Sequence, residues 1–209
     1  DHKARDNADK GPNTGGMGAY SPAPIVTDEI FKDVMNSVIR PTVDGMSSEG
    51  NSYTGFLYAG LMIDQQGNSK VLEYNCRFGD PETQPIMMRL KSNLAELCLL
   101  ATQGKLDKAN IEWDARSAMG VVLAANGYPD AYPSGEVIGL PSDTIDAKVF
   151  HAGTKIDGND VVTSGGRVLC ATALGVDTKQ AQTSAYQLLE KINWPSAYFR
   201  TDIGFKAIK

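Results

Sequence analysis

Val71-Leu72-Glu73-Tyr74-Asn75-Cys76-Arg77-Phe78-Gly79-Asp80-Pro81-Glu82 is the most informative stretch of this 209-residue chain. Its first half reads as a β-strand, in which side chains two apart share a face, so Glu73 and Asn75 point the same way. A carboxylate and an amide oxygen are hard ligands suited to Mg²⁺, an ion that keeps several waters and shares its other positions with phosphate oxygens. Where the extended backbone continues, Arg77 joins that face and can offset charge on a phosphoryl group in transfer. The same string also reads as a solvated strand end carrying an incidental ion pair, since charged side chains are mostly exposed. Asp80 and Glu82 stand at the entry to a helix, where the macrodipole favours acids.

Working outward, Lys70 to Asn75 is the return strand of a hairpin. Tyr53 to Ile63 is its partner and Asp64-Gln65-Gln66-Gly67-Asn68 the reversal. Upstream, Thr27 is a plausible N-cap followed by Asp28 and Glu29, and Ile30, Phe31, Val34, Met35, Val38 and Ile39 recur at helical spacing. Pro41 either ends that helix or opens another. Downstream of Pro81 and Pro85, the pattern Ile86, Leu90, Leu94, Leu97, Ala101 predicts one helix that stops at Gly104. Short apolar runs at 118–125, 148–152 and 167–174 predict strands of a small sheet, with Val168, Cys170, Thr172 and Leu174 on one side. Asp177-x-x-Gln180 resembles a capping box for a last helix through Ala181, Ala185, Leu188 and Ile192. The fold class is therefore mixed α+β.

Residues 1 to 24 are polar and rich in turn formers, and a loop this long is more often functional than filler. At its centre lies Gly11-Pro12-Asn13-Thr14-Gly15-Gly16-Met17-Gly18. Gly15, Gly16 and Gly18 permit positive φ and close backbone approach, so that successive N–H groups can converge on an anion. A plain structural turn fits the composition equally well. The spacing is neither a P-loop nor a dinucleotide fingerprint.

Lys and Arg total 20 against 25 Asp and Glu, a net charge of −5, and no basic run of five or more residues occurs. Binding to nucleic acid or to an anionic membrane is not expected. Cys76, Cys98 and Cys170 lack CxxC spacing, and an odd number of thiols fits a reducing cytoplasm. The longest apolar stretch, Ala118 to Ala125, is far too short to span a bilayer. The chain opens on Asp1 without an initiator Met or a leader pattern, and the expectation is a piece of something longer. His2 and His151 have no partner at catalytic or ligand spacing and read as structural.

Glu73-x-Asn75-x-Arg77 on the return strand of a hairpin resembles the metal-binding strand of ATP-grasp ligases. The longer strings Glu73 to Pro85 (EYNCRFGDPETQP) and Gly11 to Pro22 (GPNTGGMGAYSP) are similar to the phosphoribosylamine–glycine ligase family of that superfamily. The likeness continues through Tyr53 to Asp64, Gly166 to Gly175 and Asp202-Ile203-Gly204. Asp1-His2-Lys3 also matches the family's string, but Ala4 stands where that string has Arg. The resemblance implies the C-terminal part of an ATP-grasp fold, an antiparallel sheet with helices, over residues 1–112. A small β-rich C-terminal domain would follow over 113–209.

The implied reaction uses ATP to activate glycine as glycyl phosphate, which the amine of 5-phosphoribosylamine captures. The resemblance assigns Glu73 and Asn75 to Mg²⁺ (or Mn²⁺) and Arg77 to catalysis. It assigns Asn13, Thr14, Gly15, Gly16, Gly18, Asp80, Glu82 and Thr83 to the substrates. ATP-grasp enzymes place a further acidic metal ligand near the position of Leu61, and this sequence has none there. A cytoplasmic protein, monomeric at full length, is implied, and the 209 residues alone are expected to be inactive. Two other readings stay open: another ATP-grasp ligase or carboxylase, and a non-catalytic binding module.

Overall fold

In a computed structural model of the chain, residues 1–208 are described and divide into two compact units. The first comprises Asp1–Ser21, Asp80–Leu90 and the chain from Trp113 onward; the second comprises Pro22–Gly79 and Lys91–Glu112.

The first unit is built on a four-stranded antiparallel sheet. Its strands, in spatial order, are β3 (Gly18–Ser21), β6 (Ser117–Ala124), β11 (Arg167–Gly175) and β8 (Ala147–His151). Every residue of β6 is buried, as is all of β11 after Arg167. The alternation expected for 167–174 is thus only half of the pattern, because both faces of the central strands are covered. On one face, Gly120, Cys170 and Thr172 meet Pro85 of α3 (Thr83–Arg89). On the other, Met119, Val121, Leu123, Leu169, Ala171 and Ala173 form one core with Ala181, Ala185, Leu188 and Leu189 of α5 (Thr178–Leu189). Fully burying side chains of this kind contributes about 2 kcal/mol each.

The capping signal before α5 is present in altered form. The Asp177 carboxylate accepts the Gln180 N–H, while the Gln180 side chain accepts from Val176 rather than from the cap itself. A second antiparallel sheet orders β7 (Val137–Ile138), β10 (Asp160–Thr163) and β9 (Thr154–Asp157). The N-terminal stretch expected as loop also contains structure: β1 (Ala4–Asp6) pairs with β2 (Lys10–Asn13), and β3 is a sheet strand. Gly18 lies so close to Gly120 and Ile203 that a Cβ there would meet both within 2.7 Å, which fixes the glycine at the start of β3.

The second unit contains α1 (Asp28–Val34), α2 (Arg40–Ser48), the hairpin of β4 (Tyr58–Ile63) with β5 (Ser69–Asn75), and α4 (Leu94–Thr102). Thr27 caps α1 through its hydroxyl, as its position before Asp28 and Glu29 predicts. Pro41 does not end the helix. A π turn over Met35–Ile39, in which the Arg40 N–H reaches the Met35 carbonyl, widens the backbone ahead of the proline ring. The helix then resumes with Pro41 in its first turn, where a missing N–H costs nothing. The Thr42 hydroxyl donates to the Val38 carbonyl.

The single helix expected from Ile86 to Ala101 is corrected to two. Leu90 is extended at ψ 116°, and Asn93 starts α4 afresh by accepting the N–H groups of Ala95 and Glu96. The apolar spacing is blind to this break because Leu90 and Leu94 keep helical register across it; the cap residue carries the information. The strand expected from Tyr53 begins only at Tyr58, after a bend in which the Tyr53 hydroxyl donates to the Phe56 carbonyl. The Asp64–Asn68 reversal is held by the Asp64 carboxylate, which accepts the N–H groups of Gln66 and Asn68.

Candidate metal strand and glycine-rich loop

In the second unit, Glu73 pairs opposite Gly60, Tyr74 opposite Ala59 and Asn75 opposite Tyr58. The bulge in this ladder falls between Val71 and Glu73, so alternation is intact from Glu73 to Asn75 and their side chains share a face. Tyr74 points the other way, and its hydroxyl bonds to Thr42 of α2 at 2.8 Å. By alternation the Glu73–Asn75 face is the one opposite Tyr74. Gly60 makes room for it, since a Cβ there would meet the Glu73 side chain at 3.0 Å.

Arg77 does not extend this face by strand alternation. β5 ends at Asn75, Cys76 and Arg77 form a bend, and the guanidinium donates to the adjacent Phe78 carbonyl at 2.8 Å. Phe78 and Phe56 stack with ring centroids 4.0 Å apart and anchor that bend. Among the described residues, no group of three or more His, Cys, Asp or Glu could hold a metal ion. The donor set on β5 is thus one carboxylate and one amide, which fits a Mg²⁺ ion completed by phosphate oxygens and water and does not form a closed protein cage.

In the first unit, the loop Asn13–Gly18 is joined to Asp80-Pro81 by Arg167, the first residue of β11. Its Nη1 donates to the carbonyls of Gly15 (3.0 Å), Gly16 (3.3 Å) and Asp80 (2.8 Å), and its Nη2 to the Asp80 carboxylate at 3.0 Å. The glycines follow from this packing. A Cβ on Gly15 would meet the Arg167 guanidinium at 2.7 Å. One on Gly16, whose φ is +121°, would meet the Pro81 ring at 2.4 Å.

The loop N–H groups are taken within the unit. Thr14 donates to the Lys3 carbonyl, Gly15 to the Tyr128 hydroxyl, Gly16 to the Thr14 hydroxyl and Met17 to the His2 carbonyl. The expected convergence of these groups on an anion is therefore corrected: internal bonding holds the loop, and Asn13 and Gly15 remain on its exposed side. Glu82 and Thr83 are half-buried at the entry to α3, beside the buried Pro81. Asp80, expected as a helix-dipole partner, is held instead by Arg167.

A second polar cluster backs this loop. The fully buried Arg200 side chain donates through Nε and Nη2 to Asp202 (2.8 and 2.9 Å), and through Nη1 to Asp9 (2.8 Å) and the Ala4 carbonyl (3.1 Å). Burial opposes the charge, but the bonds to Asp202 and Asp9 outweigh it and keep the guanidinium more basic than usual. Lys206 also pairs with Asp9. Buried His2 accepts the Gly204 N–H at Nε2, and burial followed by the nearby Arg200 charge pushes its pKa down to about 4. Its expected structural role follows, as a neutral ring tying the start of the chain to Gly204.

The three cysteines are free thiols. Burial pushes the Cys170 thiol up to about 12, leaving it protonated in the core. The sequence pattern does not single out Arg167 or Arg200. The available signal was a lone charged residue at the mouth of an apolar run, Gly166-Arg167-Val168, and another beside an acid in the C-terminal segment, Phe199-Arg200-Thr201-Asp202. No helix among the described residues is long and apolar enough to cross a membrane.

Residues 1–83 match the phosphoribosylglycinamide synthetase ATP-grasp (A) domain, and residues 118–206 match the C domain of the same synthetase. A phosphoribosylamine–glycine ligase of Salmonella typhimurium (strain LT2) is 62% identical over 212 residues, covering 100% of this chain and 49% of the relative. The crystal structure of a phosphoribosylamine–glycine ligase from Thermotoga maritima superposes with a TM-score of 0.83 at 37% identity, over 97% of this chain and 50% of that one. The biotin carboxylase subunit of a pyruvate carboxylase, at TM-score 0.61 and 17% identity over 92% of this chain and 41% of that one, shares the fold alone. The chain spans about half the length of the curated relatives it matches. Two domains of one synthetase in sequence order, a relative sharing well over half of its residues, and the mixed helix and antiparallel-sheet architecture lead to one assignment: the chain belongs to the phosphoribosylamine–glycine ligase family of ATP-grasp proteins.

Proposed function

We propose that the protein to which this chain belongs is an ATP-dependent carbon–nitrogen ligase that joins glycine to 5-phosphoribosylamine, giving glycinamide ribonucleotide for purine biosynthesis. The observation that carries the reading is the match of both synthetase domains, in order, to the two ends of the chain. Residues 1–112 belong in this reading to the ATP-grasp domain and 113–209 to its small C-terminal domain. The protein is cytoplasmic and, at full length, a monomer.

In the first step a glycine carboxylate oxygen attacks the γ-phosphorus of ATP, ADP leaves, and glycyl phosphate forms. In the second, the amine of phosphoribosylamine attacks the acyl carbon and inorganic phosphate leaves. Glu73 and Asn75 hold Mg²⁺, which when bound supplies positive charge against the phosphate oxygens. Arg77 is assigned in this reading to offset charge on the transferring phosphoryl group. Asn13, Thr14, Gly15, Gly16 and Gly18 border the substrates, and Asp80, Glu82 and Thr83 receive the glycine ammonium. The chain's contribution is positioning and charge stabilisation. The chain covers 49% of the length of the Salmonella typhimurium relative, so the reading concerns the whole protein.

The test uses the full-length protein. ADP release that requires both glycine and phosphoribosylamine is expected. Glu73→Ala should lower turnover at least about a hundredfold while circular dichroism stays unchanged. Turnover equal to wild type in that variant would reject the metal role, and ADP release indifferent to glycine would reject the substrate.

A further inference from the structure

Resting on that reading, we propose that Arg167 is a positioning residue for glycine: one guanidinium holds the glycine-rich loop and the Asp80 carboxylate in the geometry that receives the substrate ammonium. Arg167 grows from the first residue of β11, an inner strand of the four-stranded sheet. Its root is therefore on one of the most rigid elements of the unit, while its tip reaches two loops far apart in sequence. The carbonyls of Gly15, Gly16 and Asp80 all bond to one nitrogen, Nη1. Three carbonyl dipoles brought to one point repel, and the cation between them removes that repulsion.

The fourth bond, Nη2 to one Asp80 oxygen, fixes the carboxylate's orientation while the side chain stays 47% exposed. A carboxylate tied through one oxygen and open to solvent elsewhere is suited to an ammonium group. An ordinary surface ion pair would need only this fourth contact. The three backbone contacts, with the Cβ exclusion at Gly15, mark a guanidinium that sets where the loop backbone lies. Lysine, a point charge without the planar fork, cannot make the same set of bonds.

The experiment measures steady-state kinetics of the full-length protein as wild type, Arg167→Lys, Asp80→Asn and the double variant, with folding checked by circular dichroism and tryptophan fluorescence. Arg167→Lys and Asp80→Asn should each raise the KM for glycine about tenfold, the loss of one charge-assisted bond. The kcat and the KM for ATP should stay as in wild type. The double variant should be no worse than the more severe single one, because both remove the same held carboxylate. A glycine KM unchanged in folded Arg167→Lys, effects that multiply in the double variant, or a fall in kcat at constant KM would each overturn the proposal. Should Arg167→Lys unfold, Arg167→Gln, which keeps a planar donor for the loop carbonyls and loses the charge facing Asp80, takes its place with the same outcomes for the glycine KM, and an unchanged glycine KM in Asp80→Asn overturns the proposal in either case. Absence of glycine-dependent ADP release in the wild type is a separate outcome, which sinks the functional reading and this inference with it.

Discussion

Replacing Arg200 with Met removes a side chain that is 0% exposed and leaves its volume nearly unchanged. The substitution strands Asp9, Asp202 and the Ala4 carbonyl, all of which accept from the guanidinium. Removing one partner of a buried ion pair costs about 3–5 kcal/mol, because the remaining charge is left in a poorly solvated place. Here the loss is softened. Asp9 keeps Lys206 and His2, Asp202 keeps the Ala8 N–H, and the two carboxylates are 31% and 21% exposed. The lower end, about 3 kcal/mol, is therefore expected.

Both tryptophans, Trp113 and Trp194, belong to the first unit, and Trp194 is buried, so fluorescence during urea unfolding reports on this unit. With a slope of about 2 kcal/mol per molar urea, the midpoint should fall by about 1.5 M. The acid limb should change too. Asp9 and Asp202 are held below the usual carboxylate range by their bonds to basic groups, against the opposing effect of burial. They thus add stability that is present above the unfolded carboxylate pKa and is lost as pH falls through the folded one. In Arg200→Met that acid loss should shrink. A midpoint shift below about 0.3 M at unchanged slope would refute the claim that this cluster fastens the N-terminal segment to the C-terminal one.

Two further outcomes follow from the same unit. His2 titrates at about 4 in the folded chain against an ordinary 6.5, so between these values the unfolded state binds a proton that the folded state refuses. Stability should fall as pH drops through that window, and the fall should vanish in His2→Gln, with urea midpoints across the range as the measurement. Gly16→Ala combines a left-handed φ of +121° with a Cβ 2.4 Å from the Pro81 ring and should cost about 1–3 kcal/mol in the same assay. A Gly16→Ala midpoint equal to wild type would remove the packing explanation of the glycine-rich loop.

Much was legible in the sequence because it depends on neighbours along the chain. Thr27 and Asp177 cap helices through bonds to residues three positions on, and Asp64 closes its reversal through Gln66 and Asn68. The shared face of Glu73 and Asn75 follows from strand alternation, and the two long strings sufficed for family membership. Local patterns misled where a side chain acts only when read for its cap or its ring. Asn93 divides an apolar spacing that otherwise runs on as one helix. Pro41 is absorbed by a π turn that no periodicity announces.

What only the tertiary structure decided is the set of contacts between segments distant in sequence. Arg167 meets Gly15, Gly16 and Asp80, and Arg200 meets Ala4 and Asp9, because the fold of the first unit brings these distant segments together. The glycines of Gly15-Gly16-Met17-Gly18 looked from sequence like backbone opened toward a ligand. In the fold, Gly15, Gly16 and Gly18 make room for a guanidinium, a proline ring and a neighbouring strand. A sequence displays which positions tolerate no side chain; the atom that would collide belongs to another part of the chain, and only folding brings it near.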